Sequence, residues 1–63
     1  MNIDMKDKII LAFQENHADL LRARREGDRE EEFYCNGYED AMLFVLIQLG
    51  INYDEALTMK VKG

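Results

Sequence analysis

A chain of 63 residues with one cysteine, no proline and four glycines has no internal disulfide or paired-cysteine zinc site, and it is neither a turn-rich β-sandwich nor a Pro-rich linker. Its 48% apolar content is too high for intrinsic disorder. Yet a lone core in a chain below about 70–80 residues supplies only about 3–5 kcal/mol, so oligomerisation is the expected staple.

Thirteen acids against eight bases leave a net charge of -5. Affinity for nucleic acid comes mainly from cations neutralising phosphates, and anionic membranes attract the same cations, so neither is an expected direct partner. Met1-Asn2-Ile3-Asp4 offers no basic segment leading into an apolar one, and no signal peptide is expected. The longest apolar run, Ala41 to Ile47, falls far short of the roughly 20 residues that span a bilayer. The expectation is a soluble cytoplasmic protein.

Asp4 to Glu26 contains no glycine or proline, and Ile3, Ile9, Ile10, Phe13, His17, Leu20, Leu21 and the stem of Arg24 mark one side. Gaps of three and four make this an amphipathic helix over about 4–26. Asp4 is its expected cap, Asp7 suits the first turn, and Arg22, Arg24 and Arg25 suit the last. Gly27 supplies a left-handed stop.

Asp28 with Glu31 forms an aspartate version of the capping box, opening a second helix over about 29–49. Gly50 stops it and Ile51 closes a Schellman motif. Asn36-Gly37 is a strong hairpin dipeptide, but the charges flanking it do not alternate with apolar residues as strands require. Continuity also gives Arg29 to Leu49 a length of about 32 Å at about 1.5 Å per residue, matching the first helix. Gly37 then costs about 1 kcal/mol against alanine, and a close helix–helix approach is the expected compensation. Asn52 and Glu55 repeat the capping pattern for a short third helix over about 53–59. The tail Lys60 to Gly63 is expected to fray. The fold class is all-α: one small domain, a hairpin of two long antiparallel helices plus a short third, dimerising into a four-helix bundle.

Catalytic candidates are few. His17 is the sole histidine, and Gln14 stands where a Glu-x-x-His metal motif needs glutamate. A structural histidine bonded to Tyr38, which lies at the same level of a symmetric hairpin, is the expected reading. Cys35 has acidic sequence neighbours that raise a thiol pKa, so it reads as a small buried hydrophobe; zinc held by His17 and Cys35 of two copies is disfavoured. Helical nucleotide pyrophosphatases need facing Glu-x-x-Glu and Glu-x-x-Asp pairs, and neither long helix has the former. A helix-turn-helix reader wants a basic recognition helix, not one opening on Glu30-Glu31-Glu32. There is no serine. No enzyme, metal or cofactor is expected.

The pattern Phe33-Tyr34, Gly37-Tyr38, Asp40-Ala41 and Leu49-Gly50-Ile51 resembles, in style, small open reading frames of phages and Gram-positive bacteria; it covers one helix and implies no activity. The expected function is a non-enzymatic interaction module or regulator, homodimeric, of the kind that inhibits a host protein. An acidic DNA mimic is the alternative. Ala41 to Ile47 is apolar all the way round the second helix, which a single neighbour cannot cover. The expected oligomer interface is therefore Met42, Leu43, Val45, Leu46 and Leu49. Glu30, Glu31, Glu32, Glu39 and Asp40 form the candidate acidic surface for another protein.

Overall fold

The computed structural model describes residues 5–61. Three helices follow one another: α1 (Met5–Glu26), α2 (Arg29–Gln48) and α3 (Tyr53–Thr58). The described residues contain no strand, and the molecule measures 37 × 23 × 17 Å. The expected Asp4 cap, Ile3 and the last two residues of the tail lie outside the described residues.

The turn between the long helices takes two residues, Gly27 and Asp28. Gly27 adopts φ +70°, where a side chain would be strained. Its N–H donates to the carbonyl of Arg24 at 3.3 Å, and that of Asp28 to the carbonyl of Ala23 at 2.9 Å. That is the Schellman pair of bonds, closing the end of α1. Asp28 then begins the next element, its carboxylate accepting from the N–H of Glu31 at 3.1 Å. One residue thus finishes one helix and caps the next. The return half of the capping box is absent: the Glu31 carboxylate takes the Cys35 thiol instead, at 3.8 Å.

α2 runs unbroken through Asn36-Gly37. The carbonyl of Cys35 also accepts from the Asn16 amide at 2.8 Å, which ties this stretch to α1. At the far end Gly50, at φ +83°, makes a second Schellman motif. Gly50 N–H donates to Ile47 and Ile51 N–H to Leu46, both at 2.9 Å. Ile51 is thereby buried beside Leu46, the apolar contact that accompanies the motif.

α3 folds back over the open end of the hairpin. Asn52 and Glu55 form a complete capping box. Gln14 on α1 donates through Nε2 to the carbonyls of Ala56 and Met59, both at 2.8 Å. These belong to the last turn and its cap, where no intrahelical donor remains. Tyr53 sets its ring edge-on to Phe13 at 5.9 Å. The core therefore sits at the open end: Ile10, Phe13, Leu46, Ile51 and Ala56, ringed by Ile9, Met42, Leu43, Leu57, Met59 and Val61. Nearer the turn, Leu20, Ala23 and Cys35 are buried.

Candidate functional site

Successive residues of a helix advance by about 100°, so α2 has two distinct long faces. One carries Cys35, Glu39, Met42, Leu43 and Leu46 and is turned toward α1; Cys35 and Leu46 are buried, the other three partly so. The opposite face carries Phe33, Tyr34, Gly37, Tyr38, Ala41, Phe44 and Val45, all exposed. Phe33 is 79% exposed, Phe44 66%, Tyr34 64% and Tyr38 51%. Singly exposed apolar residues are ordinary; four aromatic rings on one helix face are a contiguous patch of the kind that marks an interaction site.

The centre of that face is hollow. Phe33, Tyr34, Gly37, Tyr38 and Ala41 line a shallow depression of about 400 Å³. A side chain on Gly37 would meet no atom within 4 Å. The close helix approach expected to compensate this glycine is therefore not made by α1. Tyr34 and Tyr38 form the rim, their rings tilted at 48° with centroids 5.1 Å apart. The Tyr34 hydroxyl is held above its ordinary pKa, chiefly by its hydrogen bond with Tyr38.

The expected interface residues divide between the two faces. Leu46 is fully buried in the hairpin's own core, and Met42 and Leu43 pack against that core. Val45 and Leu49, 41% and 50% exposed, are the most open of the five to a second molecule. Periodicity alone missed Phe33, Tyr34, Tyr38 and Phe44. Aromatics spaced by four (Tyr34 and Tyr38) and by eleven (Phe33 and Phe44) are the available signal, but they read equally well as the side packed on α1.

The acidic residues do not make one surface. Glu32 accepts from Arg24 Nε at 3.2 Å, Glu31 holds the thiol of Cys35, and Glu39 turns inward. Glu30 and Asp40 remain exposed, nearly a right angle apart around the helix at about 100° per residue.

Glu39 is where the expected partner of His17 must be corrected. His17 Nδ1 donates to Glu39 Oε1 at 2.6 Å, with the two side chains 21% and 12% exposed. Tyr53 completes the setting, its ring edge-on to the imidazole at 6.2 Å. Tyr38, the residue expected in this place, is on the far side with Tyr34. The imidazole joins all three helices and satisfies a carboxylate that would otherwise be costly to bury. We expect His17→Gln to keep the fold and the expected oligomer and to lose about 0.5–1.5 kcal/mol, the net worth of one such bond. Thermal melts with light scattering test this; lost binding at an unchanged melting temperature would contradict a structural role.

Cys35 is 2% exposed. Burial, and then the Glu31 carboxylate, push its thiol above the ordinary value, so it stays protonated and unreactive at neutral pH. Tyr53 is likewise raised, mainly by burial. Among the described residues no group of three metal-ligating side chains comes together, and no helix is long and apolar enough to cross a membrane. Comparison with family models, with curated proteins and with solved structures finds no match.

Proposed function

We propose that the chain is a small non-enzymatic interaction protein of the cytoplasm that acts by binding, and that it assembles into a homodimer through the outward face of α2, two hairpins making a four-helix bundle. The observation that carries this is the exposed aromatic face of Phe33, Tyr34, Tyr38 and Phe44, left open by a hairpin whose own core is already closed. An aromatic side chain buries about 150–250 Å². At the observed exposures, the four rings offer on the order of 500 Å² per protomer, so a two-fold contact buries about 1,000 Å², the lower bound of a specific interface. The assembly also adds to the modest stability of a core of this size.

The groups best suited to chemistry are engaged structurally, His17 with Glu39 and Cys35 with Glu31, which supports binding over turnover. Solvated acids of α2 remain, as separate charges and not as one surface, for a further protein partner; the regulatory or inhibitory role rests there. Light scattering after gel filtration tests the assembly. We expect twice the 7.4 kDa chain mass at micromolar concentration; a monodisperse monomer would sink the reading.

A further inference from the structure

The bonds that hold the molecule together fall into two sets. One ties α1 to α2 from the middle of the hairpin to its turn. Asn16 reaches the Cys35 carbonyl at 2.8 Å, His17 meets Glu39 at 2.6 Å and Arg24 meets Glu32 at 3.2 Å, with Leu20, Ala23 and Cys35 buried among them. The other set belongs to α3, and most of it is internal. Asn52 and Glu55 cap each other, Thr58 Oγ1 donates to the carbonyl of Asp54, and the N–H groups of Ala56 and Met59 donate to the carbonyls of Asn52 and Glu55, both at 2.9 Å. A helix of six residues is far below the roughly 12–15 at which an isolated helix becomes marginal, so α3 owes its order to docking. Its seat is apolar: Ala56 lies in the cluster with Ile10, Phe13 and Leu46, and Tyr53 stands edge-on to Phe13. Gln14 holds its last turn, Nε2 donating to the carbonyls of Ala56 and Met59 at 2.8 Å.

We propose that α3 is a strap latched by Gln14, which opens about Asn52 as one unit while the α1–α2 hairpin stays folded, and so uncovers the apolar seat around Phe13. The hinge follows from the connection. Ile51 stays with α2, because its N–H donates to the carbonyl of Leu46 and its side chain is buried beside that residue. Asn52 comes next, extended at φ -86° and ψ 174°, and rotation there swings α3 away without disturbing the second Schellman turn. The latch follows from the hydrogen bonds. The two carbonyls that Gln14 satisfies lie at the end of α3, where no further intrahelical N–H is on offer, and water takes them over once the strap is open. Opening therefore breaks the bonds of one α1 side chain and the packing of Tyr53 and Ala56, and leaves each cross-hairpin bond named above in place. Segments attached in this way open at a lower free energy than the fold they dock on. What opening exposes is the ring of Phe13 and, beside it, the His17–Glu39 pair against which Tyr53 lies. The closed form thus withholds an apolar seat already shaped for a short helix, separate from the outward face of α2, and α3 regulates access to it.

Native-state hydrogen exchange on the full chain tests this. The amides of Ala56 and Met59 report on α3, and those of Phe13 and Leu20, inside α1, report on the hairpin. Protection of the first pair about tenfold or more below that of the second is expected; equal protection overturns the strap. Gln14→Leu removes the donor and keeps the bulk. Loss of its two hydrogen bonds should lower Ala56 and Met59 protection by about fivefold to a hundredfold, and an unchanged value overturns the latch. Ala23→Gly separates local opening from unfolding of the whole molecule. Ala23 is buried at the turn end, its carbonyl accepting from Asp28. Glycine there weakens α1 and should lower Phe13 and Leu20 protection about fivefold, while Ala56 and Met59 keep theirs. If all four amides lose protection together in Ala23→Gly, α3 leaves its seat only when the whole fold unfolds, and the strap is overturned.

Discussion

Leu46→Glu is expected to abolish the helical signal at every protein concentration. Leu46 has no exposed surface and lies in the cluster with Ile10, Phe13, Ile51 and Ala56. Its carbonyl also anchors the second Schellman turn, accepting from Ile51 at 2.9 Å. Losing a buried leucine costs about 2–5 kcal/mol, and a carboxylate in its place has no cation to meet among those four neighbours. The sum exceeds the roughly 3–5 kcal/mol that a chain of this length commands. Far-UV circular dichroism decides it, with retained helicity as the contrary result. The periodicity-based expectation assigned this residue to the oligomer interface, with its substitution dissociating the dimer and unfolding the hairpin together. In the structure it reports on the hairpin, and any loss of dimer follows from unfolding.

That displacement shows which parts of the fold the sequence carried and which it could not. Helix boundaries were legible because their determinants are local. Gly27 and Gly50 needed positive φ, Asp28 and Asn52 needed a donor three residues on, and each signal lies within five residues of its target. The level of contacts across the hairpin was also legible, since a turn at Gly27 and Asp28 brings position 17 opposite 38 and 39. The rotation of α2 about its own axis was not. Because Ala41 to Ile47 is apolar all round, two faces competed for α1, and they differ by a rotation the pattern does not resolve. The face that won holds Cys35 and Glu39; the more hydrophobic one, with its tyrosines and phenylalanines, stayed outside. A rotation of one residue, about 100°, replaces Glu39 by Tyr38 as the neighbour of His17, which is the size of the error made there. Gln14 was read only as the place where a metal motif fails. Its actual work, holding two carbonyls more than forty residues away, depends on how α3 lies and leaves no mark in spacing.

Phe44→Glu should do what Leu46→Glu does not: dissociate the dimer while leaving the hairpin folded. Phe44 is 66% exposed, and replacing so exposed a residue within a helix ordinarily changes stability by about 0.5 kcal/mol or less. In the proposed dimer the same ring is covered. Burying a phenylalanine contributes about 1.5–3 kcal/mol, and two-fold symmetry counts each substitution twice. The lost burial alone is then about 3–6 kcal/mol, or about 10²–10⁴ in the dissociation constant at 1.4 kcal/mol per tenfold. A carboxylate placed within the proposed apolar contact adds to the loss. The melting temperature supplies an independent readout. A dimer melts at temperatures that rise with protein concentration, because assembly stabilises the folded chain by mass action. The native chain should show this rise and Phe44→Glu should not, its transition lying near that of the native protein at high dilution. A Phe44→Glu protein that still scatters as a dimer would remove the outward face of α2 from the assembly altogether.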